Sequence, residues 1–293
     1  MRVLVTGGTG FVGRHLLRTI TGAGHAVRVV ARSVHGGLPD DVEFMPGTVT
    51  DPGSIAAAAE GMDACVHLVA VIVERGGQTF YRINHQGTED VLRACRDSGV
   101  SRFIQMSALG VREGLEPFPY LHSKFLGEEA VRASGFEWTV LRPGALFGEG
   151  AGFFTPIVWN ARWLPVFPLP NGGRTKFQPL WVEDLARGVN ACLGGTGVGE
   201  TIEMGGPVVQ TFRELAELVC EVLGKKRPMV SVPLWSARVF AAFQELRKNP
   251  LVTNKQLSMV VLDNVTDPAN VPRSFGFEPK AMRDTDLRWL ARL

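Results

Sequence analysis

The sequence predicts an α/β protein: a doubly wound parallel sheet with a small C-terminal α/β lobe. Three observations carry that expectation. Short aliphatic, β-branched runs alternate with segments of helical apolar spacing through the first half of the chain. The first run leads into a glycine-rich turn that opens a helical segment, the strand–turn–helix context of a phosphate cradle. Further on, a tyrosine and a lysine stand four residues apart, a spacing that puts both on one helix face.

The chain opens on a strand, Arg2 to Val5, followed by Gly7, Gly8, Thr9, Gly10, Phe11, Val12 and Gly13. Gly7, Gly10 and Gly13 recur at a spacing of three, where backbone must come close to an anion or take a positive φ. Phe11, Leu16, Leu17 and Ile20 mark the helix that follows, ending near Gly22–Gly24. Gly7, Thr9, Gly10, Phe11, Val12 and Gly13 are therefore candidate cofactor-binding residues, their N–H groups and the helix dipole meeting a diphosphate. A second strand spans Ala26 to Ala31. An acid often closes this strand and binds a ribose 2′-hydroxyl, but here Ala31, Arg32 and Ser33 stand instead. Arg32, with Ser33 beside it and Arg14 as an auxiliary cation, points to a 2′-phosphate, so NADP(H) is preferred and NAD(H) remains possible. The alternative is a solvent-facing arginine on a loop.

Val42 to Met45 reads as a third strand, and Asp51-Pro52 starts a helix with an aspartate N-cap. The apolar run Ala64 to Val73 reads as a fully buried fourth strand. Leu68 and Ala70, toward its C-terminal end, are candidate cofactor neighbours. His67 within it reads as a satisfied core histidine. Tyr81 to Ser98 is a helix, with Asn84 either a helix-start residue or a structural one near the site. Arg102 to Ser107 is a fifth strand. Tyr120 and Lys124 follow; these are one of only two tyrosines in the chain and a lysine on the same helix face. A nearby ammonium lowers a phenol pKa, which would suit Tyr120 to acid–base chemistry on a carbonyl or alcohol.

These residues together resemble the extended or atypical branch of the short-chain dehydrogenase/reductase superfamily, whose fold is the Rossmann sheet. The match rests on Thr6-Gly7-x-x-Gly10-x-x-Gly13, Ser107 at a strand end, Tyr120-x-x-x-Lys124, Arg142-Pro143-Gly144 with Phe147-Gly148 after a sixth strand (Trp138 to Leu141), and Val182-Glu183-Asp184 ahead of a helix. Met106-Ser107-Ala108-Leu109-Gly110, Phe177-Gln178-Pro179 and Glu203-Met204-Gly205-Gly206-Pro207 are similar to a narrower group, the NADPH-binding accessory subunit of respiratory complex I and its bacterial relatives. The resemblance implies Tyr120 as acid/base, Lys124 as its modulator and a nicotinamide-ribose ligand, Ser107 as carbonyl orienter, and Pro143 and Gly144 beside the cofactor. One departure matters. The family register puts the serine or threonine at Ala108, and Ser107 comes one residue early, a step that turns a strand side chain to the other face.

Three functions are compatible with that resemblance. One is an NADP(H)-dependent oxidoreductase on an apolar carbonyl or alcohol of a small-molecule substrate. Another is a cofactor-binding accessory or scaffold protein with little catalysis. The third is an NAD-dependent sugar-nucleotide epimerase or dehydratase, against which the missing acid at Ala31 counts.

The bulk properties narrow the partners. A net charge of +2 over 293 residues gives no electrostatic case for nucleic acid. Four dispersed cysteines without a CxxC pair, and no signal peptide ahead of the first strand, suit a reduced, cytoplasmic protein. No metal-site spacing appears among the histidines.

The expected domains are residues 1–150, with 175–200 returning to them, and a lobe from 151–174 and 201–293. Phe153, Phe154, Trp159, Trp163, Phe167 and Phe177 either wall the nicotinamide end of a cleft or pack the lobe. Thr201 to Met204 reads as a short strand, and Thr211-Phe212-Arg213-Glu214 as a capping box. Lys225-Lys226-Arg227 is a basic run, and Trp235, Val239, Ala242 and Leu246 form an apolar stripe beyond Pro233. That stripe either packs on the lobe or forms a peripheral membrane or respiratory-complex contact.

Overall fold

The computed structural model describes residues 1–34, 37–247 and 252–293. The aliphatic runs become strands, buried at the centre of the sheet and exposed at its β3 edge: β1 (Arg2–Thr6), β2 (Ala26–Ala31), β3 (Val42–Pro46), β4 (Ala64–His67), β5 (Arg102–Met106) and β6 (Glu137–Pro143). With the edge strand Glu200–Met204 they form one seven-stranded sheet, every neighbouring pair parallel. Its order runs from that edge strand through β6, β5, β4, β1 and β2 to β3. β1 is thus flanked by β2 on one side and β4 on the other, so the strand order reverses there. Ligands in such sheets bind at this switch point, beyond the strand C-termini.

Helices cover both faces. α1 (Phe11–Gly22) buries Leu16, Leu17 and Ile20. α2 (Pro52–Ala59) has Asp51 as N-cap, the carboxylate accepting from the Gly53 N–H at 3.2 Å, with Pro52 in its first turn. α3 (Gly87–Asp97) buries Val91, Leu92 and Cys95, and α4 (Pro119–Arg132) lies near it.

Three expectations need correction. The fourth strand stops at His67 instead of reaching Val73. An unbroken apolar run carries no periodicity that marks its own end. Beyond it the loop is held by Asn84, whose amide accepts from the Val71 N–H at 2.8 Å and donates to the Val71 carbonyl at 3.2 Å. The helix expected from Tyr81 begins as a π-turn, Tyr81–Gln86, before continuing as α3. α4 comes very close to that turn at Gly127, where a Cβ would lie 2.8 Å from the Asn84 carbonyl oxygen. The third concerns the strand Glu200–Met204. It pairs with β6 from Glu200↔Thr139 to Met204↔Pro143, so Thr201–Met204 completes the main sheet and does not belong to the lobe.

The chain divides into two compact units: Met1–Pro143 with Val182–Met204 and Asn270–Phe277, and Gly144–Trp181 with Gly205–Ala269 and Glu278–Leu293. The division differs from the expected one at 144–150, 175–181, 201–204 and 270–277. Residues 144–150 and 175–181 join the second unit because Leu146 pairs with Leu180, and Ala145 donates its N–H to Asn264 Oδ1 at 2.9 Å. Residues 270–277 return to the first, where Arg187 stacks on the Phe277 ring at 3.8 Å.

The second unit has its own core. Phe154 meets Trp289 edge-on at 5.5 Å, and Phe153 meets Phe177 at 5.3 Å. Phe154, Phe167 and Phe177 are buried, so half of the aromatic cluster is core, while Phe153 and Trp159 are half-buried and Trp163 is exposed. The capping box at Thr211 and Glu214 is complete and opens the helix Phe212–Val222. The helix Leu234–Glu245 is turned so that Ala241 and Gln244 are buried while Trp235, Val239, Phe243 and Leu246 face outward. The apolar stripe is therefore not packed on the lobe. Among the described residues, no helix is long and apolar enough to cross a membrane.

Candidate cofactor and active site

The glycine turn lies between β1 and α1, at the switch point. Gly7 has φ +76°, and a Cβ there would press on the Val69 side chain and the Leu68–Val69 backbone at 3.1–3.3 Å. This brings the turn against Leu68, which lies beyond the end of β4 and donates its N–H to the Thr6 carbonyl at 3.1 Å. Ala70, two residues on, is exposed. Gly13 has a different role. A Cβ on it would lie 2.3 Å from the Gly8 carbonyl oxygen, so α1 presses directly on its own turn. Gly8, which sequence reading passed over, leaves room for Val29, whose side chain would be 2.8 Å from a Cβ.

The N-terminus of α1 has the properties an anion needs. No side chain caps it, and its first turn holds no acid. The N–H groups of Phe11, Val12 and Gly13 are the open donors of that first turn. A cradle without Cβ atoms, with free N–H groups and the positive end of a helix, fits a diphosphate. Gly13→Ala is expected to cost about 1–3 kcal/mol of stability, because backbone must move to admit the methyl group. Urea unfolding checks it, and an unchanged midpoint would mean the turn tolerates the methyl.

Arg32 stands exposed just past β2, next to Ser33, and makes no ion pair among the described residues. Arg14 is likewise exposed, in the first turn of α1. Pro143 closes β6, its carbonyl accepting from the Leu109 N–H at 2.9 Å, and Gly144 begins the second unit.

Tyr120 and Lys124 share one face of α4. The half-buried Tyr120 ring lies edge-on to Phe80 at 5.9 Å. Lys124 is buried and donates from Nζ to the Met106 carbonyl, at the end of β5. Burial pulls its pKa down to about 8, with Glu128 opposing. Burial pushes the Tyr120 phenol up to about 12. The expected lowering of the phenol by Lys124 is thus corrected: desolvation dominates, and the ammonium is turned to a backbone carbonyl.

Ser107 is committed elsewhere. Its Oγ donates to Glu128 Oε1 at 2.5 Å. Glu128 is fully buried on α4, yet every lone pair is answered. Arg142 binds it through Nε at 2.9 Å and a terminal nitrogen at 2.7 Å, and Arg132 reaches Oε2 at 2.6 Å. The hydroxyl proton is therefore held by a carboxylate. Glu128 was missed in the sequence, although it lies four residues beyond Lys124 on the same helix stripe, and Arg142 belongs to a motif already noted.

His67 is fully buried with both ring nitrogens engaged, Nδ1 with Thr6 Oγ1 at 2.6 Å and Nε2 with Thr88 Oγ1 at 3.2 Å. Burial, and then the Lys124 charge, lowers its pKa to about 3, so it stays neutral, as a core histidine should. Asn84 has a structural role beside the site. Besides holding Val71, it donates to Ser123 Oγ at 3.0 Å, and Ser123 donates to the Tyr120 carbonyl at 2.7 Å. The loop after β4 is thereby tied to the first turn of α4.

A parallel sheet with its cradle at the switch point defines a dinucleotide-binding protein of the Rossmann type. A family described as NAD(P)H-binding matches residues 7–155, just over half of the chain. The chain belongs to this NAD(P)-binding family, in the extended short-chain dehydrogenase/reductase group. It is 31% identical over 256 residues to subunit 9 of the NADH dehydrogenase [ubiquinone] 1 alpha subcomplex, mitochondrial, of Arabidopsis thaliana, an alignment covering 84% of this chain and 63% of that protein. It spans, then, less than two thirds of that relative's length. It is 29% identical over 290 residues to a ceramide reductase of Caulobacter vibrioides, covering 95% of this chain and 89% of that one. The fold matches the dTDP-glucose 4,6-dehydratase DesIV of Streptomyces venezuelae, solved with NAD bound, at a TM-score of 0.76 and 23% identity over 99% of this chain and 96% of that chain. The protein is NAD(P)-binding.

Proposed function

We propose that the protein is an NADP(H)-dependent oxidoreductase that reduces an apolar carbonyl on a lipid-like small molecule. The observation that carries this reading is Tyr120 and Lys124 on one face of α4, with the lysine buried against the end of β5. The near full-length likeness to a ceramide reductase supports the substrate class. The nicotinamide, when bound, supplies the hydride. Tyr120 supplies the proton to the carbonyl oxygen. A phenol held near 12 is protonated at neutral pH, which suits reduction better than oxidation. Lys124, whose ammonium already donates to the Met106 carbonyl, would hold the nicotinamide ribose with a remaining N–H, and Ser107 takes no part while its proton is held by Glu128. Steady-state reduction of long-chain and polycyclic ketones tests the reaction; no NADPH consumption across such a panel would sink it.

The same Ser107–Glu128 bond favours a second reading, a cofactor-binding accessory protein with little catalysis. Under that reading NADPH raises the melting temperature but no substrate is turned over.

The preference for NADP(H) rests on Arg32, exposed past β2 and without an ion pair among the described residues, where an acid would select NAD(H). Arg32→Ala is expected to weaken NADPH binding about tenfold and leave NADH binding within about twofold, since a charge-assisted hydrogen bond contributes on the order of 1.5–3 kcal/mol. Fluorescence titration of both cofactors measures it, and an unchanged ratio would point to other residues.

A further inference from the structure

The helix Leu234–Glu245 presents its apolar side to solvent. Trp235 is 69% exposed, Val239 49%, Phe243 68% and Leu246, just past the helix end, 84%. With Ala242 they fall within an arc of about 100°, whereas the opposite side buries Ala241 and the polar Gln244. A helix that buries glutamine and exposes tryptophan, phenylalanine and leucine leaves a contiguous apolar surface to be covered by something else.

Charge narrows what covers it. Exposed Arg238 lies at one margin of the arc and exposed Arg247 at the other. Exposed Lys225 and Lys226 belong to the same unit, shortly before the helix. From Lys225 to Arg247 the chain holds five cations (Lys225, Lys226, Arg227, Arg238 and Arg247) against one acid, Glu245. Arg227 is occupied with the Ala161 and Arg162 carbonyls, and Lys225 and Lys226 line a groove with Glu217 and Glu221, so Arg238 and Arg247 are the cations that flank the arc. Glu245 is occupied too, accepting from the Asn254 N–H at 2.7 Å. A short helix with aromatic and leucine side chains on one arc, and arginines at both margins, matches an interface lying in the plane of a bilayer. The apolar arc enters the acyl boundary and the arginines reach back to phosphate.

We propose that Trp235, Val239, Ala242, Phe243 and Leu246 form a docking surface for an anionic lipid bilayer. The chain binds the membrane from one side, lying on it rather than spanning it. Burial of the apolar arc supplies the main attraction, and Arg238 and Arg247 at its margins confer preference for anionic headgroups. This inference stands on the second unit alone and does not depend on the reaction proposed above.

The test is flotation of the whole chain with vesicles of phosphatidylcholine alone, or of phosphatidylcholine mixed with phosphatidylglycerol. The wild type is expected to float with the mixed vesicles and about tenfold less with the neutral ones, and high salt is expected to lower the mixed-vesicle value to that of the neutral vesicles. A W235S/F243S/L246S variant, altered only at exposed positions, is expected to stay at the bottom while keeping its circular dichroism and melting temperature. R238E/R247E is expected to lose the anionic preference. Failure of the wild type to float, or unchanged flotation of the triple variant, would overturn the proposal. So would a wild-type dimer that the triple variant converts to monomer, because a second copy would then cover the arc.

Discussion

Replacing Glu128 with alanine is expected to destabilise the protein by about 3–5 kcal/mol, the largest single-residue stability effect anticipated in the first unit. The carboxylate is fully buried and receives four hydrogen bonds, from Ser107, Arg132 and twice from Arg142. Those partners come from three different elements: Ser107 from the end of β5, Arg142 from β6 and Arg132 from α4 itself. Arg132 also donates to Thr201 on the edge strand at 3.1 Å. Removing the carboxylate takes the closest anion from both guanidinium groups: Arg132 keeps Glu129, but the more buried Arg142 keeps only the longer contact to Glu203 at 3.5 Å, and a buried cation deprived of its main partner costs more than a lost contact. Glu128→Gln keeps the shape and one acceptor oxygen but removes the charge, and should fall between wild type and alanine. Urea unfolding of the three proteins gives the order. A Glu128→Ala protein within about 1 kcal/mol of wild type would mean the network is not a structural clamp. If the alanine variant does not fold, the glutamine variant still reads the charge contribution.

Glu128 also explains where sequence reading stopped. The glycine turn, the strands and the Tyr120–Lys124 face were legible because each is a local pattern: a spacing of three, a run of β-branched residues, a spacing of four. The capping box at Thr211 and Glu214 was legible for the same reason. Ser107 was not, because the partner that holds its proton lies twenty-one residues on, on a different element. Ser107 stands one residue early in the family register, but only the position of Glu128 says where its hydroxyl goes.

The end of β4 was hidden for a related reason. Ala64 to Val73 is apolar apart from His67, and the side chain that holds the loop beyond the strand is Asn84, thirteen residues after the carbonyl and N–H of Val71 that it binds. The edge strand Thr201–Met204 was recognised as a strand yet assigned to the wrong unit. A short strand carries no local mark of which neighbour it will pair with. The phenol is the clearest energetic case. A spacing of four correctly placed Lys124 on the Tyr120 face, but only burial, which no spacing records, decides that the phenol rises and the lysine falls.

Tyr120→Phe is expected to lower kcat for carbonyl reduction by about 10²- to 10⁴-fold, the range typical of a lost general acid. That corresponds to about 3–5 kcal/mol of transition-state stabilisation. The ring, with its edge-on contact to Phe80, is kept, and the Lys124 bond to the Met106 carbonyl is untouched, so NADPH affinity should change by no more than about twofold. The pH dependence separates this role from a structural one. A phenol near 12 is protonated throughout the neutral range, so wild-type reduction should not fall on its account before strongly alkaline pH. Alcohol oxidation needs the phenolate as base, so its rate should rise with pH across the neutral and alkaline range. Lys124, near 8, loses its charge within that window, and a break in either profile there would report the ammonium rather than the phenol. Tyr120→Phe should abolish the rise in oxidation and leave any break near 8 in its residual activity. A variant retaining more than about a tenth of wild-type kcat with the same rising profile would remove Tyr120 from the chemistry. The surviving catalyst would then have to be sought beyond the Tyr–Lys face of α4.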